Sequence, residues 1–341
     1  MRHAELTQVL RAANPWWSRR ARSSWVAVDE LLRGRDRHEW APATLAGRTA
    51  LAEIGAPVRP GTAVVLTGPR AIGKSTAARD AVLRVLSDPD VDARSIVWVP
   101  VEAGPGDPFP DRSALDADDL DNVLNRPTRI GAPACDGPRL VVIDEVAGVP
   151  GWTEVVPRGA AHAQVLITTS LGGQQVTDLA AHYPGRLTAA ALRPSTLAEL
   201  LAGNPGGDPQ VTRTAYLEHG GYPRAVAEHR DLGVVGVELV ELVASGLRRD
   251  LCTAGTAAPC RLNDLLSAIC RTAGRFLEPG AIAAQLQLPA TQVEHLLDRL
   301  ADAGVVDPHR GLLAPLLHRL PALLDPSVVP PSSAHVAAFS R

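Results

Sequence analysis

Lysine is all but missing from this chain. Of its 34 Lys and Arg side chains, Lys74 is the one lysine and every other cation is arginine. A nuclease centre built on clustered acids and lysine is therefore excluded. Cysteine is scarce as well, and Cys135, Cys252, Cys260 and Cys270 show no C-x-x-C spacing. That points to reduced thiols scattered in cores, as in a cytosol, the alternative being a metal site among Cys252, Cys260 and Cys270. Long apolar runs are absent. The N-terminus has no apolar signal core, and Val234 to Leu247, the nearest approach to a span, is interrupted by Glu238 and Glu241. No charge dominates: a net charge of −3 and a pI near 6.4 give no overall pull toward nucleic acid. The expectation is a cytoplasmic protein without membrane contact. With 341 residues, 45% of them hydrophobic and 21% charged, it is globular and long enough for two or three domains.

The lone lysine sits in Gly68-Pro69-Arg70-Ala71-Ile72-Gly73-Lys74-Ser75, followed by Thr76. A compact ammonium on a flexible stem slips between two phosphates where a planar guanidinium is too wide. The spacing G-x-x-x-x-G-K-S is that of a phosphate-binding P-loop. Its glycines let successive backbone N–H groups converge on the phosphates. Lys74 then reaches the β and γ oxygens, and Ser75 is placed to ligate Mg²⁺. The flanks agree: Ala63 to Thr67 reads as a buried strand, and Ser75 to Leu86 as a helix with apolar Ala77, Ala81, Val82 and Val85. Strand, glycine loop and helix N-terminus together are what anion binding at a helix dipole requires.

Along the chain, residues 1–55 form a helical arm that includes Asn14-Pro15-Trp16-Trp17 and, over residues 1–40, carries eight arginines against five acids. Residues 56–192 alternate apolar strands with helices, predicting an α/β P-loop NTPase core with a mostly parallel sheet. Its strands are expected at 63–67, 95–101, 139–143, 164–169 and 187–192, with Pro- and Gly-rich loops at 103–112 and 131–138. Residues 193–255 read as a helical lid ending in a linker at 252–260. Residues 256–320 read as a winged-helix domain of three helices and a short hairpin. In that domain Leu262, Leu265, Leu266 and Ile269 form one stripe, while Val293, Leu296, Leu297 and Leu300 form another behind a Thr291/Glu294 capping box. A Pro/Ser-rich tail occupies 321–341.

Leu140-Val141-Val142-Ile143-Asp144-Glu145 predicts a buried strand with acids emerging at its carboxyl end, where parallel sheets bind ligands. Asp144 is expected to hold Mg²⁺ and Glu145 to polarise the attacking water. The strand Val165 to Ser170 ends in hydroxyls. Ser170 there is a candidate sensor of the γ-phosphate, the alternative being a strand that simply ends in polar residues. Arg186 is a candidate phosphate-sensing or finger arginine, one among 33.

These residues resemble a group of AAA+-like prokaryotic ATPases. The group combines a GPRxxGKT loop, an apolar-DE strand followed by a GW segment, and a GGxP segment in a helical lid. Here the counterparts are Gly68–Thr76, Ile143–Trp152 and Gly220-Gly221-Tyr222-Pro223. An NPWW-like opening (Asn14–Trp17), the stretch Leu192–Glu199 and a winged helix after the lid extend the likeness to residues 10–325. The resemblance implies that Pro223 packs near the adenine. Trp152 is expected to wedge the loop after Glu145 against the sheet. Two positions depart from the group: Ala71 stands where Gln is usual, and Thr169 where Gly is usual before the sensor hydroxyl. The chain also stops about where many relatives continue into a nuclease-like domain.

The expected function is Mg-ATP binding and hydrolysis, with Glu145 and Lys74 catalytic and the nucleotide state moving lid and winged helix as a switch. A protein partner or self-association is expected. The alternative is a nucleotide-gated DNA-binding or regulatory protein, against which local charge speaks. Helix 291–302 carries Glu294, Asp298 and Asp302 against Arg299 and His295, and residues 261–320 balance six arginines with six acids. A small-molecule kinase is a third reading, and no acceptor pocket is legible for it.

Overall fold

The computed structural model describes residues 3–18, 25–38, 58–102, 115–135, 139–203, 206–252, 262–271, 277–307 and 311–324. The loop expected at 103–112, nearly all of the 252–260 linker, Arg310 of the expected hairpin, the arginines Arg2, Arg19, Arg20 and Arg22, and the tail from 325 lie outside the described residues. The rest divides into two compact units. Of the described residues, the first holds those up to Gly34, those from Val58 to Thr67, and Lys74–Ala191; the second holds Arg35–His38, Gly68–Gly73 and those from Leu192 onward.

In the first unit, α1 (His3–Ala13), α2 (Trp25–Val28) and the start of α3 (Glu30–His38) precede a five-stranded sheet. Its strands are β1 (Ala63–Thr67), β2 (Ile96–Pro100), β3 (Arg139–Asp144), β4 (Ala163–Thr169) and β5 (Leu187–Ala191), all parallel, in the order β2-β3-β4-β1-β5. Helices α4 (Lys74–Ser87), α5 (Ala117–Asn125), α6 (Trp152–Gly159) and α7 (Gly173–His182) make the crossovers. Every residue of β1 and β4 is buried, as continuous apolar runs covered on both faces must be. Val65, Val141, Val165 and Ile167 build one core with Trp152, which is 6% exposed. In register, Thr67 lies beside Thr169, and Ile143 beside Ile167. The carboxyl ends of β1, β4 and β3 therefore align, with β4 in the middle.

Strand β2 is an edge of this sheet, and an uncovered edge is a template for pairing with another chain. The Asn14–Trp17 segment covers it. Asn14 Nδ2 donates to the carbonyl of Trp98 at 2.8 Å while Asn14 Oδ1 accepts from the Trp98 N–H at 2.6 Å, so a side-chain amide stands in for a neighbouring strand. The indoles of Trp16 and Trp17 both donate to the Ile96 carbonyl, at 3.2 and 2.8 Å. Trp16 then meets Trp25 edge-to-face at 4.6 Å.

The second unit is helical: α8 (Leu197–Gly203), α9 (Pro209–His219), α10 (Pro223–Leu232), α11 (Val237–Cys252), α12 (Leu262–Arg271), α13 (Pro279–Leu286) and α14 (Ala290–Asp302). A two-residue antiparallel pair, β6 (Val306–Asp307) and β7 (Gly311–Leu312), and α15 (Pro315–Leu324) complete it. The expected stripes are buried at Leu262, Leu265, Leu266 and Ile269, and at Val293, Leu297 and Leu300. Two expectations need correction. The Thr291/Glu294 capping box does not form, because the helix starts one residue earlier with Pro289 at the N-cap and no side-chain cap bond. The chain also continues as helix past residue 320: α15 runs to Leu324 and buries Leu316, Leu317 and Leu320.

Candidate active site

At the carboxyl ends of β3 and β4, four expected residues of the first unit come together. Lys74 opens α4; it is 5% exposed, and its Nζ lies 3.7 Å from Glu145 Oε2. The Ser75 hydroxyl donates to Asp144 Oδ1 at 2.8 Å. Two hard oxygens side by side beneath a helix N-terminus are the donor type that Mg²⁺ takes, so Ser75 and Asp144 fit that ion.

Thr168 lies between the two acids. Its hydroxyl donates to Asp144 Oδ1 at 2.7 Å and accepts from the Glu145 N–H at 2.8 Å. Glu145 is left-handed at φ +65°, a conformation that costs a non-glycine residue about 1–3 kcal/mol and persists only where neighbours over-determine it. Those neighbours are Thr168 at its backbone, Lys74 at one carboxylate oxygen, and Ser170 at the other. Glu145 Oε1 accepts from the Ser170 N–H at 2.7 Å and from its hydroxyl at 3.0 Å. The hydroxyl of Thr169 turns instead to the Leu171 carbonyl at 2.7 Å.

Arg79, four residues after Ser75 on the same face of α4, closes the cluster from behind. It donates to Asp29 Oδ2 at 2.8 Å, lies 3.8 Å from Asp144 Oδ2, and stacks 4.5 Å above the Trp98 ring. Thr168 and Arg79 are members that sequence reasoning misses. Their signals are the hydroxyl run closing β4 and the i, i+4 spacing from Ser75.

The loop between β1 and α4 has the backbone that its glycines predict. Gly68, Ala71 and Gly73 have φ of +143°, +62° and +103°. A Cβ on Gly68 would fall 2.2 Å from the Leu192 carbonyl oxygen, so no other residue fits there. Pro223 occupies the first turn of α10 in the second unit, after fully buried Tyr222. Arg186 is not brought to the cluster. It precedes β5, and its guanidinium faces the carbonyls of Gly61 and Pro157, each at 3.4 Å. Gly61 precedes β1, so Arg186 stands at the amino ends of the parallel strands, opposite Asp144 and Glu145.

Residues 60–201 match the family model described as an AAA domain. The P-loop, the acid pair and the hydroxyl run all fall inside this AAA-like segment. Residues 212–317 match a second family model, a domain of unknown function, DUF8612. A search of curated proteins by sequence found no match. Among solved structures, a variant of Thermotoga maritima RuvB is 15% identical over 83% of this chain and 91% of its own, at a TM-score of 0.35. Cdc6p from Pyrobaculum aerophilum is 12% identical over 86% and 94%, at 0.33. The Bacillus subtilis DNA clamp loader delta protein is 10% identical over 86% and 97%, at 0.34.

Proposed function

We propose that the chain binds Mg-ATP and hydrolyses its β–γ bond, using the nucleotide state to switch contacts made by its helical C-terminal part. The observation that carries this reading is the joint placement of Lys74, Ser75, Asp144 and Glu145. A helix N-terminus with a buried ammonium, a hydroxyl–carboxylate pair and a second carboxylate meet at the carboxyl ends of parallel strands. In this reading bound Mg²⁺ supplies charge neutralisation on the phosphates, held by Ser75 and Asp144. Lys74 binds the β and γ oxygens, and the N–H groups of 68–76 cradle them. Glu145 orients the attacking water and takes its proton. In the arrangement described, both oxygens of Glu145 are engaged, by Ser170 and by Lys74. Productive binding would draw Lys74 toward phosphate and release Glu145 Oε2 toward water. Ser170, at the end of β4, would then report the γ-phosphate through the carboxylate that it holds.

Residues 256–320 are read as a winged helix that serves protein or intramolecular contacts rather than DNA. On α14, Glu294, Asp298 and Asp302 are exposed, while Arg299 is turned to the Asp250 carbonyl. Reading a phosphate backbone needs clustered cations on that face. Pro223 is assigned to the adenine side of the nucleotide, and the chain to the cytoplasm.

The test is calorimetry with Lys74→Ala. Charge-assisted bonds to an ammonium contribute about 1.5–3 kcal/mol, so ATP affinity is expected to fall at least about tenfold with the fold intact. Unchanged binding removes the P-loop reading.

A further inference from the structure

The phosphate loop is tied to α11 and α14 through Arg70, a position that the bare G-x-x-x-x-G-K-S spacing leaves unspecified. Arg70 makes a forked contact with Asp250 in the last turn of α11. Its Nε lies 3.0 and 3.2 Å from the two carboxylate oxygens, and its Nη2 lies 2.8 Å from Oδ1. The two side chains are 13% and 4% exposed, so this ion pair is largely withdrawn from solvent. An acid in the last turn of a helix opposes the helix dipole, and Asp250 needs another reason to be there. A bidentate arginine supplies one.

Two further observations, independent of that pair, point the same way. Gly246 lies one turn earlier on α11, where glycine is the poorest helix former after proline. A Cβ there would come within 2.9 Å of Cβ, Cγ and Cδ of Arg70, so the glycine leaves the face clear for the arginine stem. The main-chain carbonyl of Asp250 is itself gripped by Arg299 of α14, through Nε at 2.7 Å and through Nη2. The turn after α14 lies close to the loop, for a Cβ added at Gly304 would be 3.3 Å from Pro69 Cδ. Next to Arg70 stands Ala71 at φ +62°, a backbone that must be held from outside.

We infer that Asp250, braced by Arg299, positions the phosphate-binding loop through Arg70 and thereby couples nucleotide occupancy to α11 and α14. This rests on reading residues 68–75 as the phosphate loop. Arg70, Asp250 and Arg299 are positioning residues here, acting through the loop and not on the reacting atoms. Coupling of this kind is reciprocal: if the α11–α14 contact holds the loop for ATP, bound ATP must also steady α11 and α14.

The experiment uses the full chain and hydrogen–deuterium exchange with and without Mg-ATP, beside calorimetric ATP affinity. In the parent, ATP is expected to slow exchange in 68–87 and also in 237–252 and 290–304. In Asp250→Asn, affinity should fall about tenfold and the slowing should survive in 68–87 alone. Gly246→Ala is the second variant. The added Cβ crowds the Arg70 stem, so a merely structural role predicts an altered Tm with unchanged ATP binding, whereas displacement of the loop through that stem predicts weaker binding. The charge swap Arg70→Asp with Asp250→Arg should recover part of the affinity that Asp250→Asn loses. Equal ATP affinity in Gly246→Ala, or the same slowing of 290–304 in Asp250→Asn as in the parent, overturns the coupling while leaving the P-loop reading intact. A parent that binds no ATP overturns both.

Discussion

Asn14 and Trp98 are hydrogen-bonded to each other twice, side-chain amide to main chain, although 84 residues separate them. The amide satisfies both polar groups that Trp98 presents on the open side of the sheet. Asn14 is itself 1% exposed, so water cannot replace it without opening the N-terminal segment. Asn14→Ala should therefore strand a buried N–H and a buried carbonyl. At about 1–3 kcal/mol for each of the two unsatisfied groups, a loss of about 2–6 kcal/mol is expected by urea unfolding. A loss under about 0.5 kcal/mol would mean that the edge is covered by something other than this pair.

Glu145→Gln keeps the shape and removes the charge. ATP should still bind, while steady-state phosphate release falls by about two or more orders of magnitude, the usual scale for a lost catalytic base. Because Gln can still accept from Ser170, the left-handed backbone at 145 should survive, while loss of the carboxylate facing buried Lys74 should lower the melting temperature. Equal turnover in variant and parent would leave Glu145 a structural acid.

Burial pushes the Cys270 thiol up to about 12, with the Arg271 charge pulling the other way to a smaller degree. The fold thus favours the protonated thiol. Its contribution is fully present below the ordinary thiol value near 9 and is lost as pH rises toward 12. Two outcomes follow. Iodoacetamide at pH 8 should leave Cys270 unmodified in the folded chain, as peptide mass mapping can check. Stability measured between pH 9 and 12 should fall less steeply in Cys270→Ala than in the parent.

Duplex DNA titrated by fluorescence anisotropy, at low and moderate salt and with and without ATP, should bind weakly. Any binding seen should be insensitive to removal of residues 261–320. Tight, salt-dependent binding that disappears with that segment would put the regulatory reading first.

Much of the fold is legible in the chain because a parallel sheet buries both faces. Continuous apolar runs such as Val64 to Leu66 and Val165 to Ile167 then mark strands to within a residue. Helix α15 is not legible: Pro315 opens it and Pro321 lies within it, and proline inside a helix removes the signal that periodicity would give. The capping box at Thr291 fails for a related reason, since the spacing of Thr and Glu cannot tell that Pro289 already begins the helix. Within the site, Lys74, Ser75, Asp144 and Glu145 can be found because each motif packs its chemistry into adjacent positions. Thr168 depends on β4 lying between β1 and β3, and Arg79 on Asp29 meeting it across 50 residues. Pairings at that range come from the order of strands, which no local pattern encodes. Arg186 is a converse case: a suggestive Gly-Arg pair stands at the amino end of its strand, away from Asp144 and Glu145.

The burial of Lys74 has a chemical corollary. A chain with one lysine carries one side-chain amine, and here that amine is 5% exposed and faces a carboxylate. Acylating reagents that decorate most proteins at dozens of positions have, besides the α-amino group, a single target in this one. The rate at which an N-hydroxysuccinimide ester modifies the side chain is thus a direct chemical clock for access to position 74. It needs no engineered label, and any ligand that covers the ammonium slows it.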